Sequence, residues 1–199
     1  MNKEFKAKRN GTKVTTGEVR LSYAHLLEPH AIEEGQTKKY SVSLIIPKDD
    51  KETLKLIKEA IEEAKEAAKT KLAGKSGKIP ANLKIPVRDG DEERPDDDAY
   101  ANSYFINANS TKKPKILEFR KFTAEGKIKA DPIDSEEDIY SGMYGLVSLN
   151  FYAFDTSGNK GIAAGLGNVL KTDDGDRLGG GSSAEEDFDL ADDEDDFEF

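Results

Sequence analysis

Along most of the chain the hydrophobic positions recur every second residue. That spacing marks half-buried β-strands, because successive side chains on a strand point to opposite faces. Between Val14 and Tyr23, the residues Val19, Leu21 and Tyr23 share one face and Glu18, Arg20 and Ser22 the other, with Gly17 marking a bulge or bend. Residues 24–38 read as a loop around Pro29 and Gly35. Tyr40, Val42, Leu44 and Ile46 then alternate with Ser41, Ser43 and Ile45 until Pro47 stops the strand. From Ser103 to Asn109, Tyr104, Ile106 and Ala108 oppose Ser103, Phe105, Asn107 and Asn109. Lys115 to Phe122 reads as a further strand. In Leu146 to Phe154, Val147, Leu149, Phe151 and Ala153 form an apolar face, and Ser148, Asn150 and Tyr152 a polar one. Thr156-Ser157-Gly158-Asn159 is a hairpin turn, and Gly161 to Lys171 returns as the last strand.

One stretch changes period. Over residues 50–72, Leu54, Ile57, Ile61, Ala64, Ala68 and Leu72 recur at spacings of three and four, which predicts one amphipathic helix. Asp49 with Glu52 reads as its capping pair and Gly74 as its stop. Residues 73–102, with Pro80, Pro86 and Pro95, form a long connection of the kind that is usually functional. The order strand, strand, helix, then at least three strands predicts a mainly β fold with one long helix. The leading candidate is an OB-fold-type five-stranded barrel with insertions, and the alternative is an α+β sandwich. The barrel is expected over residues 14–178, between a basic N-terminal arm (residues 1–13) and a Gly/Ser linker with a disordered acidic tail (residues 179–199).

Charge is distributed unevenly around this frame. The 199 residues carry a formal charge of −10, from 30 basic and 40 acidic residues. Residues 182–199 hold ten acids and no base, so the rest of the chain is balanced. The low isoelectric point therefore does not exclude a polyanion as ligand. Phe188, Phe197 and Phe199 interrupt the acidic run, which a merely solvating tail does not need. Asp195, Asp196, Phe197, Glu198 and Phe199 are the candidate handle for a partner with a basic pocket. There is no Cys, which excludes disulfides, thiolate metal sites and cysteine nucleophiles and fits a reducing cytoplasm. No apolar run reaches membrane-spanning length, so no membrane association is expected.

The chemistry that remains is that of binding. Lys112, Lys113, Lys115, Arg120, Lys121, Lys127 and Lys129 place seven bases against two acids between residues 112 and 129, with Phe119 and Phe122 among them. Distributed cations and exposed rings are what a single nucleic-acid strand requires. On a regular strand Phe119 and Phe122 point to opposite faces, leaving at most one for stacking. Phe105 and Tyr152 each fall on the polar face of a strand, where a sheet can display a stacking platform. Such a ring can also be covered by the helix or by a loop. Arg20, on the polar face of the first strand, joins the candidate contacts. The acids from Asp89 to Asp98 are contiguous in a loop and read as a hydrated run with local Arg88 and Arg94 pairs, not as a two-metal site. Gly74-Lys75-Ser76 follows a helix instead of opening one and lacks the upstream glycine of a phosphate-binding loop. His25 and His30 have no further ligand nearby. No catalytic residue, cofactor or metal is assigned, and an enzyme is not expected.

Several segments carry a resemblance. They are Arg20-Leu21-Ser22-Tyr23-Ala24, Tyr40 to Lys48, Arg88-Asp89-Gly90-Asp91-Glu92-Glu93-Arg94-Pro95, Asn102 to Ser110, Tyr140 to Gly145, Asn150-Phe151-Tyr152-Ala153-Phe154, and Gly158 to Ala163. Together they resemble a family of tailed-phage single-stranded-DNA-binding proteins. The resemblance spans about Val14 to Phe199. It implies an OB-fold, a role in phage DNA replication and recombination in the host cytoplasm, and an acidic tail that recruits replication or recombination proteins. The motif does not say which residues touch DNA. Those assignments rest on the alternation. A DNA-mimic inhibitor of a host nuclease or restriction enzyme, or a metal-dependent nuclease, are the rival readings.

Overall fold

The alternating strands close on one another with their apolar faces inward. The computed structural model describes residues 5–31, 35–74, 77–156 and 159–179. Its elements are β1 (Lys8–Asn10), β2 (Lys13–Thr15), β3 (Val19–His30), β4 (Lys39–Pro47), α1 (Lys51–Ala67), α2 (Lys69–Ala73) and β5 (Val87–Asp89). There follow α3 (Gly90–Glu93), a 3₁₀ turn (Asp98–Tyr100), β6 (Ser103–Ser110), β7 (Ile116–Phe122), β8 (Ile128–Pro132), β9 (Tyr144–Thr156) and β10 (Asn159–Asp173).

Five strands make a closed circuit: β3 pairs β4, β4 pairs β6, β6 pairs β10, β10 pairs β9, and β9 returns to β3. Only the β6–β10 pair in that circuit is parallel. This is the five-stranded arrangement of an OB-fold barrel. Leu21, Leu44, Ile46, Ile106, Phe151 and Ile162 fill it, none more than 2% exposed. Burying each such side chain is worth about 1.5–3 kcal/mol before conformational entropy is charged against it.

The helix forms where the 3.6-residue period predicts, with two differences. Its cap is Asp50, whose carboxylate accepts from Thr53 N at 3.0 Å, not Asp49. It is also interrupted at Ala68, so that the predicted single helix is α1 followed by the one-turn α2. Ile57, Ala60, Ile61 and Ala64 form its buried stripe.

Three further departures matter for the site. The strand predicted from Val14 to Tyr23 is two strands, β2 and β3, and β3 runs on to His30 through what reads as a loop. Residues 8–10 of the expected arm are strand β1, paired with β2 across a turn at Gly11, whose φ of 61° suits glycine. Arg9 ties this hairpin to α1, reaching Glu59 at 3.3 Å and Glu63 at 2.6 Å. The long connection is largely ordered: β5 adds to β6, and α3 and the 3₁₀ turn follow.

Candidate nucleic-acid interface

The barrel's outer surface on β4, β6 and β9 carries the polar half of each alternation. Register places Ser41 opposite Asn109 and Ser43 opposite Asn107, so hydroxyls and amides run in pairs across β4 and β6. Asn150 and Ser148 continue this surface on β9, opposite Lys13 and Thr15 of β2.

Two neighbouring clefts lie over it. The larger, about 910 Å³, lies between the β1–β2 hairpin and the sheet; Lys8, Arg9, Lys13, Lys39, Asn150 and Tyr152 are among its walls. The smaller, about 600 Å³, sits over Ser41, Ser43 and Asn107 and is walled by Tyr23, His25, His30 and Arg94. Lys39 and Asn109 line both. Among the described residues, no Asp or Glu lines either cleft.

Local sequence explains the walls. In β10 a bulge between Leu166 and Val169 turns Asn168 outward, where its backbone N–H donates to Ser148 Oγ at 2.7 Å. Gly167 permits the approach, since a Cβ there would meet Ser148 Oγ at 2.3 Å. Asn168 Oδ1 accepts from the Lys115 backbone N–H at 3.1 Å, which fixes the basic 112–115 segment at the cleft's rim next to the lining residue Thr111.

The structure sorts the predicted contacts. Tyr152 lines the larger cleft and is 43% exposed. Lys112, Lys113 and Lys115 are exposed at its rim. Lys121, Lys127 and Lys129 are exposed on the β7–β8 hairpin and line neither cleft. Arg120, on the same hairpin, is paired with Glu118 and Asp131 at 2.6 and 2.8 Å. Arg20 is spent on the chain itself: it donates to the carbonyls of Gly142 and Asp176 and lies over the Tyr144 ring.

Two expectations are corrected. Phe105 is fully buried and displays no platform, because the 87–102 connection folds over it and Tyr100 meets its ring edge-on at 5.1 Å. Phe119 and Phe122 do not point to opposite faces. A bulge between Phe119 and Lys121 restores them to one side, with centroids 4.9 Å apart, where both contact Phe5. They form a small apolar cluster that anchors residue 5 on the hairpin. The tail contacts Asp195, Asp196, Phe197, Glu198 and Phe199 lie outside the described residues.

The sequence reading also missed residues. Lys8, Arg9 and Lys13 were visible as charge but assigned to an arm, and nothing in the alternation marked Lys39. Arg94 is not held in a local carboxylate pair: its Nη1 donates to the Tyr23 hydroxyl at 2.9 Å. That bond pushes the guanidinium's pKa further up, so it stays charged. It also lies over the rings of Tyr23, Tyr100 and Phe105 at 5.2, 5.0 and 5.7 Å. The acids nearby serve the loop. Lys48 bonds both Asp89 and Asp91, holding the Asp91 carboxyl below its usual range, and Arg88 takes Glu93. Among the described residues no group of three or more His, Asp or Glu side chains is disposed to hold a metal ion, and no helix is long and apolar enough to cross a membrane.

Comparison with known proteins identifies the family. The family described as the ssDNA-binding protein of Enterobacter phage Enc34 matches residues 12–198. The chain belongs to that family. A curated relative, putative protein p50 of Acyrthosiphon pisum secondary endosymbiont phage 1, is 28% identical over 89% of this chain and 92% of its own length. The single-stranded DNA-binding protein of bacteriophage Enc34, solved in complex with ssDNA, is 26% identical, with a TM-score of 0.64 over 89% of this chain and all of that one. Bacteriophage T7 gp2.5, a single-stranded DNA-binding protein, shares the fold at 14% identity and a TM-score of 0.53, over 97% of this chain and 100% of its own. The expectation of a binding protein and not an enzyme accords with the family.

Proposed function

We propose that the chain binds single-stranded DNA without regard to sequence, laying the strand over the polar outer face of the barrel. One observation carries this reading: among the described residues, two adjoining clefts are walled by cations, rings and amides, with no carboxylate in their lining. Phosphates are held by Lys8, Arg9, Lys13 and Lys39, and by Lys112, Lys113 and Lys115 at the rim. A base stacks on Tyr152. Arg9 contributes less than its charge suggests, because Glu59 and Glu63 already neutralise it. The hydroxyls and amides of the floor accept or donate to any base, which suits binding that is indifferent to sequence.

With roughly four to six phosphates neutralised, log K falls against log salt at a slope of about −3 to −4, taking about −0.7 per phosphate for single strands. The site covers on the order of 4–16 nucleotides. Fluorescence anisotropy with matched single-stranded and duplex oligonucleotides across a salt series tests this. A salt-insensitive affinity would sink it.

The acidic C-terminal segment is assigned to recruitment of replication or recombination proteins, through Asp195, Asp196, Phe197, Glu198 and Phe199. Leu178, near the end of the described residues, packs on the Ile45, Tyr100 and Phe105 cluster that Arg94 also covers. A polyanionic segment that follows it in sequence competes with DNA for the same cations. Deleting residues 182–199 is expected to raise DNA affinity, most at low salt where screening is weak, and to abolish partner capture. Equal affinities of the full and shortened chains at low salt would remove the competition.

A further inference from the structure

Tyr23 is an exposed aromatic in a backbone conformation that it should avoid. Its φ is 46°, in the left-handed region, and its side chain is 52% exposed. A non-glycine residue there costs on the order of 1–3 kcal/mol and persists only where its surroundings impose it. The cause is a bulge in β3: Ser22 pairs with Ser43 and His25 with Ser41, leaving one residue too many on β3. The Ala24 N–H is drawn off the ladder to Ser141 Oγ at 3.0 Å, and Tyr23 is turned out over the smaller cleft. The contacts that offset the strain are at the surface and not in the core: the residue is half exposed, and Arg94 lies over its ring and donates to its hydroxyl.

Arg94 faces it across the cleft mouth. Most other arginines of the described residues are occupied: Arg9, Arg88 and Arg120 in ion pairs, and Arg20 on two backbone carbonyls. Among the described residues no carboxylate lies within ion-pair distance of Arg94. It is instead oriented by three rings and the Tyr23 hydroxyl. A planar cation fixed by stacking and by a hydroxyl, with Glu93 and Asp97 near but outside ion-pair distance, is suited to an incoming phosphate or base edge.

We infer that the cleft of about 600 Å³ between Tyr23 and Arg94 is a nucleobase pocket, which takes one unpaired base out of the bound strand. The base stacks on the Tyr23 ring. Its edge meets Asn107 and Ser41 on the floor, and Arg94 holds the adjoining phosphate. This rests on the single-stranded-DNA reading and adds to it a fixed seat for one nucleotide. Lys39 and Asn109 connect that seat to the Tyr152 cleft. A base held in a duplex cannot enter, so the pocket also favours single strands over duplex.

The test is an abasic scan. An oligonucleotide of the shortest length that binds fully is prepared with one base removed at each position in turn, leaving every phosphate. The wild-type chain and Tyr23→Gly are titrated with each, and melting temperatures are measured. Glycine accepts the positive φ, so Tyr23→Gly is expected to melt no lower than the wild type. Its affinity for the intact strand should fall on the order of 5- to 150-fold, the effect of losing one stacked base. At one position, base removal should weaken the wild type by a similar factor and leave Tyr23→Gly unaffected. Arg94→Lys, which keeps the charge but loses the planar fork, should weaken the intact strand and reduce the same position's effect. An identical abasic profile in wild type and Tyr23→Gly would overturn the pocket while leaving the groove standing. A wild type with no salt-dependent affinity for any strand would overturn the groove reading and the pocket with it.

Discussion

Phe105 and Tyr152 present the same sequence signal and end in opposite environments. Each is a ring among serines and asparagines on the polar side of a strand. On β9 that side stays open, and Tyr152 borders a basic cleft. On β6 it is roofed by the 87–102 connection, and Phe105 becomes the floor of a second, small core with Ile45 and Tyr100. The alternation fixes which face a residue takes. It does not fix what lies over that face, which depends on a distant loop. That loop is held by Lys48 to Asp89 and Asp91 and by the Tyr100 hydroxyl bond to Ser43 at 3.2 Å. The roof also positions Arg94, whose guanidinium lies over the Tyr100 and Phe105 rings.

The sharpest test of this contrast compares Phe105→Ala with Tyr152→Ala. Truncating the buried ring should cost about 3–5 kcal/mol of stability, seen as a large drop in melting temperature. DNA affinity of the fraction that remains folded should change little. Tyr152→Ala should leave the melting temperature nearly unchanged and cost on the order of 1–3 kcal/mol in binding. Exchange of these two outcomes would invert the assignment of faces.

Smaller effects are expected from the cations. Replacing Lys13 and Lys39 by Ala should weaken all sequences alike and flatten the salt slope by about 1.4, at about 0.7 per phosphate contact. Replacing Lys121, Lys127 and Lys129 on the hairpin, which line neither cleft, should flatten it less. A larger change from the hairpin would move the strand's path onto β7 and β8.

The smallest effect concerns pH. His25 stacks on His30 with centroids 4.5 Å apart, and burial together with the His30 charge lowers its pKa. A lowered folded-state pKa means that the unfolded chain binds the proton more readily. Stability should therefore be full above the unfolded value near 6.5 and decline as pH falls below it. DNA affinity should move the other way, since protonation adds positive charge to the smaller cleft. A pH titration of melting temperature and affinity, in wild type and His25→Gln, separates the two trends; a profile unchanged by His25→Gln would remove His25 as their source.

Much of the barrel was legible because it is built from local periodicity. Val147, Leu149 and Phe151 alternate into the core, and Ile57, Ile61 and Ala64 recur at helical spacing. The errors fell where one extra residue breaks the period. The β7 bulge returned Phe119 and Phe122 to one side, and the β3 bulge turned Tyr23 outward. Nothing in either sequence marks the extra residue, because it is fixed by pairing with a strand elsewhere in the chain. The candidate site was less legible for a related reason. Lys8, Lys13 and Lys39 lie far from the densest basic stretch in sequence, and only strand pairing gathers them on one cleft.

The central claim is the path of the strand across β4, β6 and β9. Photo-cross-linking of a bromouracil-substituted oligonucleotide, followed by mass spectrometry of the adducts, maps that path on the intact protein. Adducts are predicted at Tyr152 and Tyr23, and none at Phe105, Phe119 or Phe122. Adducts concentrated on residues 116–132, with Tyr152 and Tyr23 unmodified, would contradict it.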